Sequence, residues 1–399
     1  MVAMSERVVA PISTAELERR WTAVRNEMSA RKIDVLLMQG NNDFMGGYVK
    51  YFTDLPATNG YPFTVVFPRD DLMTTVGQGP LNGDMSLPPG GDGIRRGVKR
   101  VLSTPSFAPA GYTKEYDAEL AAKALAPFAN GRVGLVGTAT MPYPFLDYLK
   151  RGVLAGADVV DATDFVDEIR SIKSDEEIAG FRKSCQMQDA MMEAVFAAVA
   201  PGKRDIELVG VAKAVASSWG SEQGWYMAAS GPLDTAAVMA PPHQQNRLLR
   251  SGDQFTILLE NSGPGGFYTE LGRTCVLGKA TQEMNDEFAF VLEARKFALA
   301  LLRDGASCKA VWEEFNAFMR EHKRPEEKRL FCHSQGYDMV ERPLVRFDEP
   351  MPIRNNMVLA VHPTYVTERT YSWACDNFLI SAKGAERMHA FAEKITELG

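Results

Sequence analysis

The sequence predicts two domains, an α/β domain over residues 1–165 followed by an α+β domain over residues 166–399. Three observations predict this. The chain has 399 residues, more than one ordinary hydrophobic core organises. In the first part, short apolar runs alternate with helical patterns, the signature of a mostly parallel or mixed sheet flanked by helices. In the second part, long helices are interleaved with pairs of apolar strands, the pattern of helices packed on a curved, mostly antiparallel sheet.

The first element is a helix. Ser13 and Glu16 have the spacing of a capping box, and Leu17, Trp21, Val24 and Met28 follow at helical intervals. Arg31 and Lys32 end it. Val35 to Met38 reads as a buried strand, and Phe63 to Phe67 as a second, stopped by Pro68. Pro88 to Gly91 is a loop, residues 117–128 a helix, and Val133 to Gly137 a strand. The charged segment Val166 to Ser174 leads into the second domain. Ser174 and Glu177 form another capping box, and Ile178, Phe181, Cys185 and Met192 mark the apolar face of a long helix. Further helices are predicted over 206–219, 282–303 and 308–322. Strands are predicted over Gln254 to Glu260, Gly266 to Leu277, Met357 to His362 and Asn377 to Ser381.

Bulk composition narrows the function. The chain is 45% hydrophobic and 24% charged, with a net charge of −7. An acidic balance disfavours nucleic acid as a partner, because phosphate binding needs a basic face. No stretch approaches the ~20 apolar residues that span a bilayer, so a cytoplasmic location and no membrane partner are expected. The five cysteines are odd in number, widely spaced and form no C-x-x-C pair, so they read as free thiols.

Four segments of the second domain carry a resemblance. They are Arg170 to Ile178 (RSIKSDEEI), Gly252-Asp253 with Gly266 to Thr274 (GFYTELGRT), His333 to Pro343 (HSQGYDMVERP), and Asn356 to Pro363 (NMVLAVHP) with Asp376 to Ile380 (DNFLI). In this order and at these intervals they resemble the creatinase/aminopeptidase P family, the peptidases M24. That resemblance implies a creatinase-like N-terminal α/β domain, an α+β pita-bread catalytic domain and a homodimer.

Metal-dependent members of the family hold two divalent ions with two Asp, one His and two Glu, and the ions lower the pKa of a bridging water. Mapped by resemblance, the first Asp falls near Leu259 or Glu260 and the second becomes Glu270. The His is kept as His333, the first Glu becomes His362, and the last Glu falls on Cys375 beside Asp376. At most two of five positions keep their ligand character, so a bridged two-metal centre is not expected.

The main expectation is therefore a creatinase-like hydrolase that cleaves a C–N bond of a small polar nitrogen-containing metabolite without a metal. Its catalytic candidates are His243, Glu270, His333, His362 and Asp376. Asp376 is expected to orient a histidine. Tyr61, Tyr268, Tyr337, Glu341, Arg346 and Trp373 are the substrate-binding candidates. A second reading has Glu270, His333 and His362 hold one Zn, Fe or Mn ion in a mononuclear hydrolase or lyase. A third is a non-catalytic protein that binds a metabolite in the old cleft. Several residues also have plain structural readings: Arg273 pairing with Glu270, Arg346 with Asp348, and Trp225 and Trp373 packing in the core. His322 and His389 read as solvated helix residues. Cys375 is considered as a nucleophile only if a histidine lowers its pKa.

Overall fold

A computed structural model describes residues 10–399. It divides into two compact units, Pro11–Arg170 and Ser171–Gly399 with Ala10. The division falls between Arg170 and Ser171, at the end of helix α5 (Thr163–Ser171). The helix belongs to the first unit because Thr163 Oγ1 accepts from Gly137 N–H and Asp167 Oδ1 accepts from Tyr48 Oη–H at 2.9 Å.

The first unit is built on one mixed sheet. Its strands are β1 (Val35–Gly40), β2 (Phe63–Pro68), β3 (Met73–Gln78), β4 (Gly83–Ser86), β5 (Val98–Thr104), β6 (Arg132–Val136) and β7 (Asp158–Asp161). The spatial order is β4-β5-β3-β2-β1-β6-β7, with β1–β6, β6–β7 and β3–β5 parallel. The other helices are α1 (Thr14–Ala30), α2 (Gly47–Thr53), α3 (Tyr116–Leu125) and α4 (Tyr143–Arg151). Ser13 caps α1 by accepting from Glu16 N–H, while the Glu16 carboxylate turns to Arg19 and Arg20 and leaves the box half made. Val35, Leu37, Val66 and Leu135 on one face of the sheet pack with Leu120, Phe145 and Leu149 of α3 and α4.

The second unit holds two larger sheets whose faces decide where chemistry can occur. Its helices are α6 (Asp175–Ala198), α7 (Asp205–Trp219), α8 (Gln282–Leu301) and α9 (Cys308–Glu321). The Ser174–Glu177 capping box at the start of α6 is complete in both directions. One sheet joins β8 (Gly224–Pro232), β9 (Asp253–Ser262), β10 (Tyr268–Leu277) and β18 (Thr396–Leu398), in the order β18-β10-β9-β8. Phe255, Ile257, Leu259, Leu271 and Cys275 project from β9 and β10 into a core with Met191, Val195 and Leu208 of α6 and α7. Side chains alternate along a strand, so the even-numbered residues of β9 and β10 point away from those helices.

The other sheet joins β11 (Cys332–Ser334), β12 (Glu341–Leu344), β13 (Val358–Val361), β16 (Asp376–Ser381) and β17 (Gly384–Arg387), in the order β12-β11-β13-β16-β17. Cys332, Leu359, Val361, Phe378 and Ile380 pack with Ala294, Ala298, Phe315 and Met319 of α8 and α9. The residues between them face the other way. A two-stranded ribbon of β14 (Thr364–Val366) and β15 (Tyr371–Trp373) completes the unit. The sheets meet where Gly272 bridges to Cys375 and where Glu270 N–H donates to Asn377 Oδ1 at 2.7 Å. Among the described residues no helix is long and apolar enough to cross a membrane.

Candidate active site

The two faces turned away from the helices bring together the polar residues that the sequence scatters. On the first sheet, β9 and β10 form a hairpin whose turn centres on Gly265, with φ of +94° there, a conformation that glycine adopts without strain. Glu260 and Glu270 therefore stand directly opposite one another as Cα partners, on the same face. Trp225 of β8 lies opposite Glu260 on its other side. On the second sheet, His333 lies opposite Ala360, and Ala360 opposite Asn377. His362 follows β13 with the parity of Ala360 and faces the same way.

Glu270, His333 and His362 converge. Each offers a ligand atom, and these atoms lie within 4.8 Å of one another; all three residues are buried. The rings of His333 and His362 have centroids 5.2 Å apart and are tilted by 59°. His333 Nδ1 lies 3.0 Å from the carbonyl oxygen of Ser334. A carbonyl only accepts, so Nδ1 carries a proton and Nε2 is turned to Glu270. Nε2 is 3.4 Å from Glu270 Oε2. That contact is electrostatic, and among the described residues Oε2 is buried without a hydrogen-bond partner. Glu270 is pushed up by burial, but His362 and His333 overcome this and draw it down to about 2. Burial and the Glu270 charge hold Glu260 well above the usual carboxylate range. The acidities of the two opposed carboxyl groups are thus driven in opposite directions. Burial, helped by the neighbouring His333, lowers His362, while Glu270 pulls it the other way.

This donor set fits one divalent ion. A buried carboxylate oxygen without a hydrogen-bond partner among the described residues, an imidazole nitrogen facing it and a second imidazole beside them form a carboxylate–two-histidine set of the kind that holds zinc or iron. It does not fit a two-ion centre. Cys375 donates its Sγ–H to the Glu270 carbonyl at 3.7 Å, and burial together with the Glu270 charge pushes its thiol far up. A protonated thiol is neither a bridging ligand nor a nucleophile.

Asp376 is elsewhere, which corrects the expectation that it orients a histidine of the site. It shares the parity of Phe378 and Ile380 and so projects toward α8. Arg273, Arg295 and Arg387 bind it at 2.7, 2.6 and 2.8 Å. Burial opposes its ionisation, but the charges of Arg273 and Arg295 drive its pKa far down. Arg273, three residues from Glu270 and hence on the opposite face, is not the partner of Glu270.

The remaining candidates divide. Tyr268 is buried on the Glu270 face of β10, and Trp373 is buried over Gly272. Tyr337 stacks on Phe267 with centroids 4.5 Å apart. Glu341 is not at a cleft mouth: it forms a buried ion pair with Lys173 at 2.9 Å. Arg346 spends its fork on Asp348, Nε and Nη2 each donating at 2.9 Å. His243 is exposed on the short turn Pro242–Gln244, outside the Glu270–His333–His362 group. Tyr61 belongs to the first unit, where its exposed ring meets Phe107 edge-on. His322 caps α9, its Nδ1 2.9 Å from the Phe318 carbonyl. His389 is not solvated on a helix; it is buried, 3.6 Å from Asp189 and 3.3 Å from Asn377 Oδ1.

The family model of metallopeptidase family M24 matches residues 179–387, more than half of the chain. This protein belongs to metallopeptidase family M24. Among M24 relatives, a Xaa-Pro dipeptidase of Pyrococcus horikoshii is 25% identical over 63% of this chain and 71% of its own length. A probable dipeptidase PepE of Mycobacterium tuberculosis is 26% identical over 57% of this chain and 58% of its own. In fold, the chain is similar to the X-Pro aminopeptidase of Thermotoga maritima, with a TM-score of 0.78 at 14% identity over 95% of this chain and 99% of that one. The prolidase of Pyrococcus horikoshii gives a TM-score of 0.73 at 19% identity over 94% and 99%. The M24 chain thus has the two-domain pita-bread architecture, with the Glu270 group on its inner sheet faces.

Proposed function

We propose that the protein is an M24 hydrolase that cleaves a C–N bond of a small nitrogen-containing compound, using one divalent ion held by Glu270, His333 and His362. The observation that carries this reading is the unpartnered Glu270 Oε2 facing His333 Nε2, with His362 within 4.8 Å. An ion bound there supplies Lewis acidity and an acidified water.

The chain's own groups do the rest. His333 is fixed in one tautomer by its Nδ1–H bond to Ser334, so its Nε2 needs no reorientation. Glu260 stands opposite Glu270 on the same face, and its raised pKa suits a group that would deliver a proton to a leaving nitrogen. The Glu270 peptide is held by Asn377, which limits the carboxylate's travel. Relatives are named Xaa-Pro dipeptidases, but five-ligand chemistry is not available to this donor set, and amides other than proline dipeptides are the favoured substrates.

The test is metal analysis with a substrate panel. One equivalent of zinc, iron or manganese per chain is expected, with Glu270→Gln, His333→Ala and His362→Ala each weakening it at least about tenfold. Two equivalents, or robust turnover of proline dipeptides with added manganese, overturns the reading. Full hydrolytic activity after complete chelation establishes a metal-free Glu270–His333 pair instead.

A further inference from the structure

The Glu270 peptide N–H crosses from β10 to β16 to donate to Asn377 Oδ1 at 2.7 Å. A carboxamide is held only as firmly as its own partners hold it, and here they fix its direction. Gln335 Nε2 donates to the Met339 carbonyl at 3.0 Å, so Gln335 Oε1 is the atom that accepts from Asn377 Nδ2, at 2.7 Å. Asn377 Oδ1 is thereby turned to Glu270. It also faces His389 Nε2, 3.3 Å away. An amide oxygen only accepts, so His389 Nε2 carries a proton and donates it to this bond. With the Glu270 N–H it fills both lone pairs of Asn377 Oδ1.

His389 is 4% exposed, and the chain around it is tied down on both sides. Met388 N–H donates to the Asn377 carbonyl at 2.9 Å. Ala390 and Phe391 N–H donate to the two carboxylate oxygens of Asp189, on α6, at 2.8 and 3.0 Å. The same carboxylate lies 3.6 Å from His389 Nδ1, an electrostatic contact. Burial opposes ionisation of Asp189, but His389 and the two peptide N–H groups outweigh it and lower its pKa. Filling the space at position 389 needs none of this. A Leu or Phe would do so without a buried polar ring to satisfy. What His389 offers and they lack is a donor aimed at the acceptor of Glu270.

We propose that His389 is a positioning residue for Glu270, held by Asp189 and acting through its Nε2–H bond to Asn377 Oδ1. The proposal rests on the reading of Glu270, His333 and His362 as the metal centre.

The experiment compares two amides at position 389 in the full chain. His389→Gln places an amide nitrogen where Nε2 stands, whereas the shorter His389→Asn reaches only the place of Nδ1. Neither keeps the ring, so a packing role penalises both. Zinc affinity is measured by calorimetry, and exchange of the Glu270 amide proton by NMR against the other amides of β9 and β10. His389→Asn is expected to weaken zinc binding about tenfold or more and to speed Glu270 exchange about tenfold over its neighbours, while His389→Gln stays within about threefold of wild type in both. His389→Leu takes the place of His389→Asn if that variant does not fold. Equal losses in the Gln and Asn variants, or wild-type zinc affinity and Glu270 exchange in His389→Asn, overturn the positioning role. A wild-type chain that binds no zinc yet shows the expected exchange pattern sinks the metal reading alone. Zinc bound by wild type, with Glu270 exchange indifferent to position 389, sinks the positioning role alone.

Discussion

Glu260 and Glu270 are Cα partners across the β9–β10 hairpin, and their acidities are driven in opposite directions. Burial and the charge of Glu270 raise Glu260, while the histidines beside Glu270 lower that carboxyl. The stability consequences have opposite signs. Glu270 is lowered from 4.5 to about 2, so its contribution is present above pH 4.5 and is lost as pH falls toward 2. Glu260 is raised, so its cost grows as pH rises above its ordinary value of 4.5, where the unfolded chain releases the proton and the folded chain retains it. Glu260→Gln is therefore expected to stabilise the metal-free protein at pH 8 by about 1 kcal/mol, and Glu270→Gln to destabilise it at pH 7 by about 1–3 kcal/mol. Denaturant unfolding between pH 5 and 8 checks both signs. Equal shifts for the two variants would show that the proton is not localised on Glu260.

Asp376, the neighbour of Cys375, serves the fold. It is buried with Arg273, Arg295 and Arg387 around it, so removing it leaves three guanidiniums without their shared anion. Asp376→Ala is expected to cost roughly 3–5 kcal/mol. Zinc affinity of the protein that remains folded should stay within about threefold of wild type, because the carboxylate points toward α8. Urea unfolding and zinc calorimetry together test this; a large loss of zinc affinity without loss of stability would return Asp376 to the site.

Much of this was legible in the sequence, and the reason is periodicity. Strands such as Val35–Gly40 and Asp253–Ser262 announce themselves by apolar runs, and the Ser174–Glu177 box marks the start of α6. Strand β8 was missed because GWYMAASGP is rich in Gly, Ala and Ser, which have little strand preference on their own and are recruited by pairing with β9. The misplacement of Asp376 was avoidable. Phe378 and Ile380 are its even-numbered strand neighbours and plainly core, so alternation already turns Asp376 toward the helices. The opposition of Glu260 and Glu270 was readable too, since a hairpin centred on Gly265 pairs residues equally far from it. The partners of Glu341 and Arg346 were not readable at the site level, because mapping a motif gives position along the chain and not which neighbour lies across space.

The Lys173–Glu341 pair offers a sharp contrast between losing one partner and losing both. Each side chain is 3% exposed, and Nζ–H donates to Oε2 at 2.9 Å. Lys173→Met leaves a buried carboxylate and is expected to cost roughly 3–5 kcal/mol; Lys173→Met with Glu341→Leu should recover most of that loss. A double-mutant cycle by denaturant unfolding measures the coupling. If the double variant is as unstable as the sum of the singles, the pair is not a unit.

Asn377 is the residue through which the two sheets set the position of Glu270. Its Oδ1 accepts from Glu270 N–H at 2.7 Å and faces His389 Nε2 at 3.3 Å, while its Nδ2 donates to Gln335 Oε1 at 2.7 Å. No other side chain of comparable length can accept on one side and donate on the other in this geometry; aspartate lacks the donor and leucine lacks both. Asn377→Leu is expected to weaken zinc binding about tenfold or more, the range seen when groups that orient metal ligands are removed, with a stability loss of only about 1–3 kcal/mol. Asn377→Asp would keep the acceptor for Glu270 but set a carboxylate against Gln335 Oε1, so it should restore part of the affinity and less of the stability. Zinc calorimetry against unfolding free energy separates these outcomes. If Asn377→Leu unfolds more easily yet binds zinc as tightly as wild type, the bond to Glu270 joins the sheets without placing the carboxylate.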